Sequence, residues 1–165
     1  ILKTEIHSGA TVVIKEKTMK KGRITLYPVE TKTAISVPFA DQGIRAGFPS
    51  PAQDYIDIAI DLNRELIKNP ESTFLARVDG NSMTDVHIDD MDILVIDKSL
   101  DLRDGDIAVC FIDGEFTVKY VNVNKEKKEI RLVPANPEYS PILITPENEF
   151  IIWGVVTYIV KKARK

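Results

Sequence analysis

Gly105-Asp106-Ile107-Ala108-Val109-Cys110-Phe111-Ile112-Asp113-Gly114-Glu115-Phe116-Thr117-Val118-Lys119-Tyr120-Val121 is the stretch that decides the fold. Two apolar runs flank Asp113-Gly114, a dipeptide favoured in two-residue hairpin turns because both central positions take positive φ. With those residues as the loop, Ile112 faces Glu115 and Lys119 faces Ala108. Side chains alternate across a strand, so Ile107, Val109, Phe111, Phe116, Val118 and Tyr120 share one face, which is core material. Ala108, Cys110, Ile112, Glu115, Thr117, Lys119 and Val121 share the other, less apolar face. Lys119 projects from it between small neighbours that leave space for a partner.

Runs of the same kind lie on either side: FLARV from Phe74, DILVID from Asp92, EIRLVPA from Glu129 and FIIWGVVTYIV from Phe150. Turn residues such as Asp104-Gly105 punctuate them at short intervals. Short strands joined in this way predict a mainly β, compact antiparallel domain. Upstream, Ala10–Ile14 and Arg23–Tyr27 are β-prone, with a charged stretch from Lys15 to Lys21 between them and Gly22 available for a turn. These first 35 residues lack the length and periodicity of a helix-turn-helix. Residues 36–53, SVPFADQGIRAGFPSPAQ, hold three prolines and two glycines and read as a linker. In YIDIAIDLNRELIKNP, which follows, Ile56, Ile58 and Ile60 alternate as in a strand. Asp61 there can cap a short helix through Ile67 that ends before Pro70, and the strand–helix boundary stays open.

Composition narrows the function. No run reaches the roughly 18 apolar residues of a membrane helix. Lys3, Glu5 and His7 interrupt any apolar start, so no secretory signal is expected; because the first residue is Ile1, a few native residues are expected to precede it. The lone Cys110 has no cysteine to pair with for a disulfide or zinc site, which points to a reducing cytosol. A net charge of −3 disfavours direct binding to DNA phosphates.

The residues that could do chemistry are few. Arg77-Val78-Asp79-Gly80-Asn81-Ser82-Met83 runs off a predicted strand into a turn, where Ser82 can expose its hydroxyl; turns are also serine-rich for ordinary backbone reasons. The only histidines are His7 and His87, and His87 is too close to Ser82 in sequence for a Ser–His–Asp triad. Asp85, Asp89, Asp90 and Asp92 do not match a calcium loop and read as a solvated acidic loop. A serine without histidine can be activated by a lysine whose ammonium is destabilised by burial. Lys119 sits on a suitable scaffold, although a strand lysine taken alone is usually a solvated surface residue.

Several segments in order change that balance: AGFPSPAQDYIDIAIDLNRELI, VDGNSM, GDIAVCFIDGEFTVKYV, RLVPANPEYSPI and FIIWGVVTYIVKKAR. Through them the chain from Phe39 to Arg164 resembles the LexA/UmuD family of self-cleaving Ser–Lys peptidases (the S24 family), its UmuD branch above all. The resemblance implies a signal-peptidase-like β domain over residues 47–165, behind an extended N-terminal arm, residues 1–46. It implies Ser82 as nucleophile, Lys119 as general base, and scission between Ala46 and Gly47, with no cofactor or metal. It further implies a cytoplasmic bacterial homodimer, cleavage stimulated by the RecA filament on single-stranded DNA, and service to a UmuC-like Y-family polymerase in translesion synthesis. Asn81 stands where the UmuD branch carries an acidic residue, and the arm is longer than in that branch. Three other readings compete. A LexA-like repressor needs a DNA-reading helix pair upstream, and a signal peptidase needs a membrane anchor. A non-enzymatic polymerase accessory protein would carry a vestigial dyad.

Overall fold

The computed structural model describes residues 57–164 and, before them, the backbone of four strand segments. Those segments are β1 (Lys3–Ile6), β2 (Ala10–Val13), β3 (Leu26–Pro28) and β4 (Ser36–Ala40). The chain then runs through β5 (Asp57–Asp61), α1 (Leu62–Leu66), β6 (Thr73–Arg77), a 3-10 turn (Thr84–Val86) and β7 (Ile93–Asp97). It continues with β8 (Asp106–Ile112), β9 (Glu115–Asn124), β10 (Glu129–Val133), β11 (Ile142–Ile144) and β12 (Phe150–Val160).

Eight strands form one antiparallel sheet in the order β11-β10-β9-β8-β12-β7-β6-β3. The β8–β9 hairpin has the register expected from its turn, with Ala108 opposite Lys119 and Ile112 opposite Glu115. Asp113 (φ 49°) and Gly114 (φ 93°) both occupy the left-handed region that this turn requires. Asp61 caps α1 by accepting a hydrogen bond from Asn63 N at 3.0 Å, and Ile67 closes the helix before Pro70.

Three expectations need correction. Residues 36–40 are not linker: they form β4, paired antiparallel with β5 from Ser36–Asp61 to Ala40–Asp57. Pro38 is tolerated because, among the described residues, this sheet has two strands and each has an edge free of ladder demands. Near the N-terminus the strand expected over Arg23–Tyr27 is placed at Leu26–Pro28, against β6. Finally, the less apolar face of the hairpin is not left open. Ala108, Cys110 and Val121 are fully buried there with Leu132, covered by Leu102, Ile112, Val123, Ile130, Ile144, Phe150 and Ile152. The sheet therefore has a core on each face. The first face packs Val109 and Val118 against Ala76, Val78, Met83, Ile88, Leu94 and Ile96.

β12 also contributes to both cores, and its register slips twice, between Ile152 and Gly154 and again between Val156 and Tyr158. Strict alternation would keep Ile152 and Val156 on one face. Trp153 faces the first core by alternation with Ile152, and the first slip turns Val156 to that core as well, while Phe150 and Ile152 stay in the second. Trp153 then meets Phe74 at 5.0 Å and Phe116 at 5.9 Å, both edge-on.

Candidate active site

Ser82 lies in the loop that leaves β6, and Lys119 lies in the middle of β9. Between those strands the sheet order places β8, β12 and β7, so the two residues are not brought together by strand pairing. The loop comes to the lysine through other contacts. Met83, next to Ser82, is buried in the first core and anchors the loop there. On the other side, Ala135 N donates to Ser82 O at 2.9 Å and Asp85 N donates to Ala135 O at 2.8 Å. Ala135 follows β10, the neighbour of β9. The serine is thus carried to the lysine by the segment that continues that neighbouring strand.

The result is a direct contact: Lys119 Nζ lies 2.7 Å from Ser82 Oγ across 37 residues of chain. Nζ also lies 2.8 Å from Thr117 Oγ1 and 2.9 Å from Val118 O. Lys119 is 7% exposed, and burial holds its pKa below the usual 10.5. Only an anion at Cys110 acts in the opposite direction. Burial pushes that thiol up to about 12, so at neutral pH it carries no charge with which to rescue the ammonium.

The partner set suits a neutral amine, which has two N–H donors and one lone pair. Val118 O can only accept and takes one N–H; Thr117 Oγ1 accepts the other. The charged amine donates to all three oxygens; once it has lost its proton, the lone pair is left to accept from the Ser82 hydroxyl. Such an arrangement can draw the hydroxyl proton and raise the nucleophilicity of Oγ. Thr117 had no assigned role in the sequence, although alternation places it two residues before Lys119 on the same face.

The remaining candidates fall elsewhere. His87 is exposed, with a left-handed backbone (φ 58°) at the end of the 3-10 turn. The acidic run is not uniformly solvated, since Asp92 is 6% exposed and accepts from Asp89 N and from Lys161 Nζ at 2.9 Å. Lys161 bridges it to Asp89. This cation comes from the residue just beyond β12, too far along the sequence for spacing to reveal. Among the described residues no group of acidic, histidine or cysteine side chains could hold a metal ion. No helix among them is long and apolar enough to cross a membrane. Ala46 and Gly47 lie outside the described residues.

Comparison with known proteins shows the family. The Peptidase S24-like family matches residues 38–157. Protein MucA of Salmonella typhimurium is 43% identical over 124 residues, 74% of this chain and 83% of the relative. Protein SamA of Salmonella typhimurium strain LT2 is 39% identical over 137 residues, 83% of this chain and 94% of SamA. LexA repressor 2 of Xanthomonas oryzae pv. oryzae is 34% identical over 139 residues, covering 79% of this chain and 64% of the repressor. On the strength of that match the chain belongs to the Peptidase S24-like family of self-cleaving serine peptidases.

Proposed function

We propose that this chain is a UmuD-like SOS-mutagenesis protein that cuts its own backbone between Ala46 and Gly47 and thereby becomes an accessory subunit of an error-prone polymerase. The observation that carries the reading is the 2.7 Å contact of a buried, pKa-depressed Lys119 with Ser82 Oγ. In the cleavage step Lys119 Nζ takes the hydroxyl proton as Oγ bonds to the Ala46 carbonyl carbon. Backbone N–H groups around Ser82 are the proposed donors to the oxyanion. The C–N bond to Gly47 then breaks, and the nitrogen of Gly47 leaves with the proton returned from Nζ. Water hydrolyses the Ser82 ester, freeing the Ala46 carboxylate and regenerating Ser82.

Because the substrate is tethered, the reaction is a single turnover in which proximity supplies much of the acceleration. The arm, residues 1–46, is the piece removed, and residues 47–165 form the product. The connection that holds the proposed bond, residues 41–56, joins two strands already paired with each other, β4 and β5. Its ends are therefore held together before cleavage. The partners proposed for this switch are a second copy of the chain, the RecA filament on single-stranded DNA, and a UmuC-like Y-family polymerase, in the bacterial cytoplasm.

Intact mass after incubation at neutral pH, at high pH and with RecA, single-stranded DNA and nucleotide tests the proposal. A fragment beginning at Gly47, formed faster at high pH or with RecA and absent in Ser82→Ala and Lys119→Ala, is expected. Cleavage that persists in either variant would sink the Ser–Lys assignment. No cleavage under any condition would favour the accessory protein with a vestigial dyad.

A further inference from the structure

The nucleophile is held by a second set of contacts that the chemistry above does not use. The carbonyls of two consecutive residues, Asn81 and Ser82, are each bonded to the segment after β10. Ser82 O accepts from Ala135 N at 2.9 Å, and Asn81 O accepts from Asn136 Nδ2 at 2.8 Å. The Asn81 side chain is tied as well, since Tyr139 OH donates to Asn81 Oδ1 at 2.5 Å. Asn136 is itself fixed by a turn of its own: its Oδ1 accepts from Glu138 N at 2.9 Å, and Tyr139 N donates to Asn136 O at 3.1 Å.

Asn136 and Tyr139 belong to neither core cluster, and Tyr139 is exposed. Their hydrogen bonds to Asn81 therefore do little for packing, but they fix the orientation of the Asn81–Ser82 peptide. That orientation sets where the Cα–Cβ bond of Ser82 points. A displacement of about 1 Å at Oγ would stretch its contact with Nζ beyond hydrogen-bonding range. In catalysis a misplacement of that size costs on the order of 100-fold in rate.

We propose that Asn136 and Tyr139 are positioning residues that act through Asn81 to hold Ser82 Oγ on Lys119 Nζ. The proposal rests on the self-cleavage reading above. It separates two tasks: the β9 strand tunes the base, and the Asn136–Tyr139 turn aims the nucleophile.

The test is the first-order rate of fragment formation by the full chain from about pH 6 to about pH 11, a range spanning lysine titration. Tyr139→Phe keeps the ring and removes only the hydroxyl. Asn136→Ser adds no charge, leaves an oxygen able to accept from Glu138 N, and removes the Nδ2 donor to Asn81 O, which keeps only its longer bond from Thr84 Oγ1 at 3.3 Å. Each is expected to lower the high-pH plateau roughly 3- to 10-fold, the rate equivalent of one hydrogen bond. The pH midpoint and the thermal unfolding midpoint should stay where they are. In an Asn81→Ala background, Tyr139→Phe should produce no further loss, because its acceptor is already gone.

An unchanged plateau in both variants would overturn the proposal while leaving self-cleavage standing. So would a moved pH midpoint, which would mean that the turn acts on Lys119 instead, or a rate loss matched by a drop in thermal stability. No cleavage by the unaltered chain would remove the self-cleavage reading, and this proposal with it.

Discussion

Replacing Cys110 with aspartate should turn the proposed cleavage off at neutral pH and restore it at higher pH. Cys110 faces Thr117 across the hairpin and Lys119 faces Ala108, so Cys110 and Lys119 are diagonal neighbours on one face. Diagonal cross-strand positions lie roughly 7 Å apart. Two unit charges at that distance interact by about 2.4 kcal/mol at an effective dielectric of about 20. An ionised carboxylate there stabilises the ammonium of Lys119 by that amount and raises its pKa. At a pH well below the pKa, the neutral fraction of the lysine, and with it the cleavage rate, falls about 50-fold. The native thiol exerts no such effect because burial keeps it protonated, with its pKa pushed up to about 12.

The assay is the cleavage rate against pH for the unaltered chain, Cys110→Asp and Cys110→Asn, the last being a neutral side chain of the same shape. Thermal unfolding checks that each variant is folded. The pH midpoint of Cys110→Asp should move up, that of Cys110→Asn should stay, and the two plateaus should agree. Equal midpoints in folded Cys110→Asp and Cys110→Asn would refute the reasoning, because the rate would then not depend on the charge state of Lys119.

Two predictions concern stability. A Cβ at Gly154 would lie 2.7 Å from Ile96 Cγ2 and 3.2 Å from Asp97 O, so Gly154→Ala should cost about 1–3 kcal/mol and lower the thermal midpoint. An unchanged midpoint would mean that β12 and β7 separate more easily than their packing implies. Burial raises the Asp97 carboxyl, but hydrogen bonds from Asn69, Ser99 and Ser72 outweigh it and hold its pKa below the usual 3.8. With the folded pKa depressed, its stabilisation is fully present above pH 3.8 and disappears as pH falls through the folded value. Asp97→Asn should therefore lower the urea midpoint at neutral pH and approach the unaltered chain in acid; a gap that stays constant with pH would contradict this.

Turns, caps and strand faces follow from local rules that can be read residue by residue. Asp113-Gly114 dictated the hairpin turn, and the turn fixed the register that sets Lys119 opposite Ala108. Asp61 marked the start of α1, and alternation put Thr117 and Lys119 on one face. The short strand β11 leaves no periodic signal, because Pro141 and Pro146 frame only Ile142–Ile144, too few residues for a period to register. β4 is hidden by the prolines and glycines of residues 36–53, although Pro38 is acceptable in a two-stranded pair.

Tertiary structure alone decided how the site is assembled. Hairpin rules say where a side chain points but not what covers it, and the face carrying Lys119 proved to be a second core. That burial is the physical cause of its depressed pKa. The meeting of Ser82 and Lys119 spans strands that are not neighbours, and it depends on Met83 in one core and Ala135 beyond β10. Asn136 and Tyr139 could not be linked to Ser82 by spacing, since more than fifty residues separate them from Asn81. Local chemistry sets turns, caps and faces; bringing distant groups within hydrogen-bonding distance and away from water requires the whole sheet to fold.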